Sequence, residues 1–448
     1  MKKMKTINTK RLLKAAEKPS KDARRLHPFY KGKIEVVPKC RIRDFNDFAI
    51  WYSPGVASVC TDIYKNPELV YEYTNKWNTV AVISDGTRVL GLGDIGAEAS
   101  MPVMEGKALL YKYLGGVDSF PICLGTKDQQ EIINTVKILQ PSLGGVNLED
   151  ISQPKCFPIL QTLRKECHIP VWHDDQQGTA LVTLAGLINA LKVVNKKISK
   201  VKIALIGAGA ANMCIARLIM YYGANPANMI IADIEGTLHK GRTEFKNVQP
   251  EKWSLCVETN PQGILGGIKE AMENADVVIA LAAPGPGIIK KEWVKGMAKN
   301  AIVFACANPV PEIWPWEALE AGAAVVATGR SDFGNQVNNS LGFPGVFRGT
   351  LDARAKTITD NMCITAAQEL ASCIPDSKIK PNKILPTMDE WQLYPRVAAA
   401  VGVKAIKEKV ADKKMTYDQF YDQAVKMIKR SRAITSNMMQ KGLIKSSK

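Results

Sequence analysis

The sequence predicts an α/β protein built from two modules and a helical C-terminal segment. Its 448 residues are about three times the ~150 residues typical of one domain, so more than one domain is expected. Short apolar, β-rich runs alternate with helix-length segments in two successive series, separated by the polar, Lys-rich residues 195–200. Such alternation is typical of largely parallel sheets covered by helices. From about Thr357 the pattern is helical to the end of the chain.

The first series predicts an N-terminal α/β module. Its expected helices cover 103–114, 131–139 and 159–165, and a long helix follows over 178–194. The expected strands are 80–83, 89–92, 120–124, 144–147 and 170–172.

The second series predicts a Rossmann-like, doubly wound module, and helices over 397–409 and 417–432 follow it. We therefore expect three parts, residues 1–185, 186–375 and 376–448, the last packing back on the body. The expected strands of the second module are 201–206, 229–232, 277–281, 302–305 and 325–327.

Charge is concentrated at the two ends of the chain. The net charge is +17, yet residues 1–43 carry +12 and residues 404–448 carry +8, which leaves −3 on the body between them. The basic ends lack interleaved aromatic residues, so nucleic acid is an unlikely partner by composition. No run of 18 apolar residues indicates a membrane span, and the Lys-rich start lacks the apolar core of a secretory signal. Ten scattered cysteines without a C-x-x-C pair are typical of reduced, cytoplasmic thiols.

A glycine turn between a strand and a helix indicates a dinucleotide site. Gly207, Ala208 and Gly209 follow an apolar strand, and Ala210 and Ala211 open a helix that leads to a second strand. A pyrophosphate can sit at such a helix N-terminus, and Asp233, at the end of the second strand, can receive a ribose 2′-hydroxyl. The simpler alternative is a βαβ unit with a glycine turn and no ligand.

Two further features bear on this site. The third glycine of the motif is replaced by Asn212, and Lys240 and Arg242 could meet a 2′-phosphate that Asp233 would repel. NAD and NADP therefore both remain open.

The run 91–96 also matches G-x-G-x-x-G, but we expect no helix to open there before Pro102, so it is interpreted as a loop beside the substrate.

Acidic pairs follow two predicted strands of the first module. Glu149 and Asp150 follow one strand, and Asp174 and Asp175 follow another. Parallel strands end at a common edge, where converging carboxylates repel each other unless a proton or a cation intervenes. Oxygen ligands favour Mg²⁺ or Mn²⁺. Solvated turns or helix caps are the alternative interpretation.

Two other side chains are candidates for proton transfer. Lys107 lies on a predicted helix among apolar residues, where burial could lower its pKa and make it a base; a surface lysine is the alternative. Tyr52 precedes a Ser-Pro-Gly turn and could donate a proton, or could simply pack in the core. Only four histidines are present, which disfavours chemistry that needs several of them.

Together these motifs make the chain resemble the malic enzymes of the short, prokaryotic type. The resemblance covers roughly residues 28–405, with the motifs in the same order and spacing as in that family. They are YSPGVA, SDGTRVLGLGDIG, EGKALLY, GGVNLEDI, HDDQQGTA, GAGAA, ANPVPEI and ATGRSDFGNQVNNSLGFPGVFRG.

The resemblance implies the activity and the roles of these residues. The expected reaction oxidises (S)-malate with NAD or NADP and releases CO₂ and pyruvate, with Mg²⁺ or Mn²⁺, in a cytoplasmic homodimer. Tyr52 would be the general acid and Lys107 the general base, with Asp174 close by. Metal ligands would be Glu149, Asp150 and Asp175; substrate-binding residues would be Arg88, Asn308, Asn338 and Asn339; and dinucleotide contacts would come from Gly207, Ala208, Gly209, Ala210, Ala211, Asp233 and Asn308.

Some features depart from this pattern, and two other functions stay open. Arg88 matches the larger, eukaryotic-type enzymes, whereas many short relatives have a small residue there; Asn212 and the basic ends are not part of the pattern. Another NAD(P)-dependent 2-hydroxy-acid or amino-acid dehydrogenase would share the two-module plan but would not depend on a metal. A nucleic-acid-binding protein is the third candidate, suggested by the net charge of +17.

Overall fold

The computed structural model describes the backbone of residues 9–447 and the side chains of residues 18–447. Within this range two sheets follow each other along the chain. The first has four strands in the order β2-β1-β3-β4, all parallel. Its strands are β1 (Thr79–Ser84), β2 (Asp118–Cys123), β3 (Gly145–Leu148) and β4 (Val171–His173).

The second sheet has six strands in the order β10-β9-β8-β5-β6-β7, and only β7 runs antiparallel to its neighbour. Because β5 and β8 lie at its centre and the chain winds outward in both directions, the sheet is doubly wound. The predicted fold class is therefore confirmed. The strands are β5 (Ile203–Ile206), β6 (Met229–Asp233), β7 (Gly236–Thr237), β8 (Val277–Ala280), β9 (Ile302–Ala305) and β10 (Val325–Thr328).

Helices cover both sheets and form the C-terminal segment. They are α1 (Thr9–Tyr30), α2 (Asp47–Trp51), α3 (Val56–Lys65), α4 (Val70–Tyr73), α5 (Ala97–Gly115), α6 (Gln129–Leu139), α7 (Cys156–Glu166), α8 (Thr179–Val194), α9 (Ala210–Tyr222), α10 (Pro250–Glu258), α11 (Ile268–Met272), α12 (Lys291–Lys295), α13 (Pro315–Glu320), α14 (Phe343–Asp352), α15 (Asp360–Ser372), α16 (Leu393–Lys407) and α17 (Tyr417–Gln440).

The predicted strand 89–92 is wrong, because these residues form a loop. The Val89 N–H donates to Gly93 O and the Leu92 N–H to Val89 O, so the segment curls back on itself. Val89 is buried whereas Leu92 is exposed, which is the environment of a turn and not of a central strand.

The start of α5 also differs from the prediction. Gly86, at φ +68°, accepts the N–H groups of Ile95 and Gly96, and this contact returns the chain so that the helix begins at Ala97. Pro102 therefore lies inside α5 and not in its first turn. The tertiary contact of Gly86 outweighs the local preference of proline for a helix start.

The α8 helix is the most apolar element and joins the two modules. Together with the turn before it, over Asp174–Val194, it is long and apolar enough to cross a membrane, but 78% of its most apolar window is buried inside the protein. It packs against α9 of the second module and against α15. This burial is that of a core helix.

The C-terminal helices pack against the first module. The α16 helix packs against α14, α15 and α17, and α17 packs against α5, where the Ser431 hydroxyl donates to Lys112 O. The Tyr30 hydroxyl donates to Lys445 O, so the two basic ends of the chain meet on one side of the protein.

Close packing of α14 on α16 depends on Gly349, and this gives a test of the fold. A Cβ at Gly349 would lie 2.1 Å from Ala398 O, which is closer than atoms can approach. Gly349→Ala should therefore destabilise the protein by about 1–3 kcal/mol and lower its Tm. Gly106→Ala, in α5, is the control: its Cβ would meet no atom within 4 Å, so an unchanged or higher Tm is expected. Equal thermal shifts for the two variants would contradict this packing.

Candidate functional site

Four acidic side chains gather at the carboxyl edge of the first sheet. Glu149 and Asp150 follow β3, and Asp174 and Asp175 follow β4; Leu148 and His173 pair where the two strands end. Oxygen atoms of Glu149, Asp150 and Asp175 lie within 4.8 Å of one another. Glu149, Asp150 and Asp174 are buried, so these groups are not solvated turns.

The backbone around these acids is shaped to turn their side chains inward. Asp150 adopts φ +55°, a left-handed conformation that aspartate tolerates better than most residues, and its N–H donates to Asp175 Oδ2 over 2.9 Å. Asp174 and Asp175 open a π-helical turn, Asp174–Gly178, ahead of α8. A Cβ at Gly178 would lie 1.9 Å from Asp174 Oδ1, so only glycine leaves room for this carboxylate.

Lys107 is the cationic partner of the cluster. Its ammonium group lies 2.9 Å from Glu149 Oε1, forms a hydrogen bond with Asp174 Oδ2, and sits 4.3 Å from the ring centre of Phe343. Burial by itself lowers the pKa of Lys107, but the charges of Asp174 and Glu149 outweigh burial and raise that pKa above its ordinary value. The expectation of a lowered pKa is therefore wrong for the protein without a bound cation.

The cluster carries more acid than one lysine can neutralise. Burial, with the charge of Asp175 added, raises the pKa of Asp150 to about 8, and burial also raises the pKa of Glu149 well above its ordinary value. Asp150 Oδ2 is buried and has no hydrogen-bond partner. A divalent cation among the three carboxylates would supply both the missing partner and the missing charge, and an all-oxygen set suits Mg²⁺ or Mn²⁺.

Three buried side chains that sequence reasoning missed hold the acids in place. The Tyr111 hydroxyl donates to Asn147 Oδ1 over 2.8 Å, and Asn147 Nδ2 donates to Glu149 Oε2 over 2.8 Å. Trp172 Nε1 donates to Asp174 Oδ1 over 2.9 Å. A polar Asn147 within an apolar strand was the only signal of this support in the sequence.

The asparagines predicted to bind substrate lie at two places. Asn339 lies beside the turn that carries Asp174 and Asp175, since its Cβ is 3.3 Å from the position of a Cβ at Gly178, and neighbouring Asn338 caps a short turn by accepting the Ser340 N–H. Asn308 follows β9 in the second module and lies over Gly329, where a Cβ would be 2.7 Å from Asn308 Nδ2.

Arg88 and Tyr52 are the least enclosed candidates. The Arg88 N–H donates to Asp150 O over 2.9 Å while its side chain is exposed. Tyr52 is 75% exposed, so the alternative that it packs in the core is wrong. Among the described residues no hydrogen bond joins the Tyr52 hydroxyl to Lys107 or to the acids.

The glycine turn of the second module has the shape of an anion cradle. Gly207 adopts φ +95°, and a Cβ there would lie 2.6 Å from Leu281 O. A Cβ at Gly209 would meet no atom within 4 Å, so the space before α9, which begins at Ala210, is open. Amide groups at that helix start can bind a pyrophosphate.

Asn212 occupies the position of the third glycine of the motif. Its Nδ2 donates to both Ile206 O and Gly207 O over 2.8 Å, and these bonds tie the first turn of α9 to the end of β5. A hydrogen-bonded side chain thus replaces the close packing that a third glycine would permit.

Asp233 is paired with two cations. Lys252 Nζ lies 2.5 Å from Asp233 Oδ2 and Arg242 Nη1 lies 3.2 Å from Oδ1, whereas Lys240 is exposed. Burial raises the pKa of Asp233, but the hydrogen bonds from Lys252 and Arg242 outweigh it and hold the pKa below its usual value. These cations offset the repulsion that Asp233 alone would exert on a 2′-phosphate. Sequence reasoning missed Lys252, which is 19 residues away on α10.

Both modules match protein families. Residues 31–164 match the malic enzyme N-terminal domain, and residues 176–409 match the malic enzyme NAD-binding domain.

Individual relatives are similar over most of the chain. A bifunctional malic/malolactic enzyme of Bacillus subtilis is 47% identical over 87% of this chain and 94% of its own length. An NAD-dependent malic enzyme of Geobacillus stearothermophilus is 48% identical over 85% of this chain and 78% of its own length. An NADP-dependent malic enzyme of Rhizobium meliloti is 44% identical over 85% of this chain, which spans 51% of that protein.

Solved structures of similar proteins share the whole fold. The crystal structure of Entamoeba histolytica malic enzyme superposes with a TM-score of 0.95 at 46% identity, covering 99% of this chain and 94% of that one. Malic enzyme from Pyrococcus horikoshii superposes with a TM-score of 0.90 at 46% identity, covering 93% and 98% of the two chains.

The Tyr111–Asn147–Glu149 hydrogen bonds predict a specific loss of metal affinity. Tyr111→Phe removes the donor to Asn147 and frees Glu149 to turn, so Mn²⁺ affinity measured by direct titration should fall about tenfold. Tyr394→Phe is the matched control, because Tyr394 is equally buried but its hydroxyl has no partner. Equal Mn²⁺ affinity in the two variants would contradict a supporting role for Tyr111.

Proposed function

The chain belongs to the malic enzyme family, and from that premise we propose that the acidic cluster with Lys107 is the site at which it oxidises and decarboxylates malate with NAD or NADP. One observation carries the assignment of the site. Glu149, Asp150 and Asp175 bring oxygen atoms within 4.8 Å of one another, and Lys107 contacts the same cluster at the carboxyl edge of a parallel sheet.

The residues present fit a divalent cation and a dinucleotide. When bound, the cation would polarise the oxygen atoms of the substrate and the dinucleotide would accept a hydride from C2. Glu149, Asp150 and Asp175 would hold the cation. Residues Gly207–Ala211 would receive the pyrophosphate, Asp233 the adenine ribose, and Asn308 the nicotinamide end.

In this proposal Lys107 takes the proton of the C2 hydroxyl. Its Nζ atom is held between Glu149 and Asp174, and Asp174 is itself fixed by Trp172 and by the turn at Gly178. Once the negative charge that raises the pKa of Lys107 is offset by the cation, the neutral amine can accept the proton while Asp174 orients it and stabilises the positive charge that it gains. Asp174 is therefore a positioning residue for the base.

The remaining residues bind substrate and complete the reaction. Arg88, Asn338 and Asn339 would hold the carboxylates of malate: the Arg88 N–H donates to Asp150 O, and Asn339 lies beside Gly178 in the turn that carries Asp174 and Asp175. The β-keto acid formed by oxidation loses CO₂ to give an enol, and Tyr52 would protonate C3 of that enol to yield pyruvate. The division into residues 1–185, 186–375 and 376–448 assigns the acids and Lys107 to the first part and the glycine turn to the second.

The exposed apolar surface around Tyr52 supports a homodimer. Phe45 is 90% exposed and Tyr64 is 89% exposed, and α3 contains no buried side chain although it is a ten-residue helix. An amphipathic helix that buries none of its side chains is a candidate interaction surface, and most soluble oligomers are symmetric. A second copy of the chain on this surface would also enclose Tyr52.

The activity is tested with malate, Mn²⁺ and either NAD or NADP. We expect reduced dinucleotide and pyruvate to appear in equal amounts, and chelation with EDTA to abolish turnover until Mn²⁺ is restored. Because Lys107 is the proposed base, Lys107→Met should lower kcat by about 100-fold or more and leave dinucleotide binding unchanged.

Lys112→Met, on the same helix, is the control, since that side chain pairs with Asp118 away from the acids. Full turnover after EDTA would instead favour a metal-independent 2-hydroxy-acid dehydrogenase. Substantial turnover by Lys107→Met would remove this residue from its role.

The dimer is tested by placing charge on the exposed surface. Phe45→Glu with Tyr64→Glu should shift sedimentation from a dimer to a 49.1 kDa monomer, because a desolvated carboxylate opposes association. Ile138→Glu, at a similarly exposed apolar residue of α6, should leave the dimer intact. A wild-type protein that sediments as a monomer would contradict the proposal.

A further inference from the structure

Glu312 is a buried carboxylate to which the reaction assigns no task. Its side chain is fully buried, and none of the ion pairs among the described residues involves it. Instead Glu312 Oε1 accepts the Ala282 N–H over 3.0 Å and Oε2 accepts the Ala307 N–H over 3.1 Å. A carboxylate that receives two N–H donors can remain charged without a cation.

The two donors lie where neighbouring strands of the second sheet separate. The last bond between β8 and β9 runs from the Cys306 N–H to Ala280 O, and the two chains then diverge. Ala282 and Ala307 lie just beyond that point, with their N–H groups facing Glu312 from either side. This is the carboxyl edge of a parallel sheet, at which dinucleotides bind.

The backbone of Glu312 joins the same two segments, which we call the paired loops (residues 281–289 and 306–312). The Glu312 carbonyl accepts the N–H groups of Gly287 and Ile289 over 3.1 Å, and Val310 O accepts the Gly285 N–H over 3.2 Å. Among the described residues, Glu312 thus accepts three of the four hydrogen bonds that connect the paired loops beyond the strand ends, and its second carboxylate oxygen holds Ala307 within its own loop.

The paired loops touch both halves of the proposed active site. Leu281 O lies 2.6 Å from the position of a Cβ at Gly207, in the glycine turn. Pro284 and Asn308 lie 2.8 Å and 2.6 Å from the position of a Cβ at Gly91, in the glycine loop of the first module. A displacement of the paired loops would therefore disturb the pyrophosphate turn, Asn308 and the contact between modules together.

We propose that Glu312 is a positioning residue for the dinucleotide: its carboxylate holds the paired loops in the geometry that receives the nicotinamide end. This rests on the proposed function. Both side-chain oxygens must accept, since both face N–H donors. An amide or a protonated acid presents a hydrogen-bond donor to one of these two N–H groups, so the hydrogen bond to Ala282 or to Ala307 is lost.

The ionisation of Glu312 provides a second way to test the same role. Burial raises the pKa of Glu312 to about 7, and the N–H groups of Ala282 and Ala307 limit the rise. Its ionisable surroundings are the Cys306 thiol at the end of β9, whose pKa burial and the Glu312 charge raise, and Arg330, which donates to Pro309 O of the paired loops. Below pH 7 the wild type should come to resemble the amide variant.

The experiment measures NADH binding by fluorescence, with the full-length protein at pH 8 and at pH 6. Glu312→Gln should weaken NADH binding at pH 8 by about tenfold, the usual effect of losing one hydrogen bond to a charged group. NADH binding by the wild type should weaken between pH 8 and pH 6, whereas NADH binding by Glu312→Gln should be the same at both pH values. At pH 8 the Mn²⁺ affinity of Glu312→Gln, measured by direct titration, should equal that of the wild type, because the acidic cluster lies on the other sheet.

Glu317→Gln is the matched control. Glu317 lies five residues further on and, in the described part of the chain, its carboxylate accepts a hydrogen bond only from the Trp314 N–H that caps α13, so this variant should bind NADH as the wild type does. The proposal would be overturned if Glu312→Gln bound NADH as tightly as the wild type at pH 8. It would also be overturned if Glu317→Gln lost as much NADH affinity as Glu312→Gln. If Glu312→Gln does not fold, wild-type binding that is identical at the two pH values overturns it instead.

The outcome separates this proposal from the assignment of the reaction. A protein that binds NADH in a Glu312-dependent way but does not convert malate would remove the proposed function alone. If the wild type converts malate, and Glu312→Gln binds NADH with the affinity and pH dependence of the wild type, only the proposed role of Glu312 would be removed.

Discussion

Crowding of like charge at one buried edge is the constraint on which the rest of the structure depends. Glu149, Asp150, Asp174 and Asp175 meet at the end of the first sheet, and Lys107 is the one cation whose ammonium group contacts them in the described part of the chain. Ionising all four acids in this largely buried site would cost several kcal/mol per uncompensated charge. Burial and the neighbouring carboxylates raise the pKa of Glu149 and of Asp150, and the cation that we propose for this site would offset the excess negative charge.

Such a site requires rigid surroundings, and the first module supplies them from its core. Tyr111, Asn147 and Trp172 are fully buried, and each directs a hydrogen bond toward an acid or toward the side chain that holds one. A buried polar group is costly when it lacks a partner, so each of these bonds strongly restrains the acid it reaches. Gly178 contributes by its lack of a side chain, because any Cβ at this position would collide with Asp174 Oδ1.

The second module meets the first at the same edge, and small residues determine how closely. Gly91 lies against Asn308 and Pro284, and Glu312 holds the loops that carry those two residues. Loops at the carboxyl ends of the two sheets are thus in contact, and the first sheet bears the acids beside Lys107 while the second bears the glycine turn. Hydride transfer requires this arrangement, because substrate and dinucleotide must meet within contact distance.

Local pattern alone determined the two modules, the glycine turn before α9 and the acids at strand ends, because strand runs, helix periodicity and the edge rule for parallel sheets are properties of short segments. Only the tertiary structure decided what those groups experience. It placed Asp174 and Glu149 against Lys107, so that the pKa of this lysine is raised and not lowered, and it began α5 at Ala97 through contacts of Gly86. Desolvation, ion pairing and loop closure depend on residues far apart in the chain, and no local pattern encodes them.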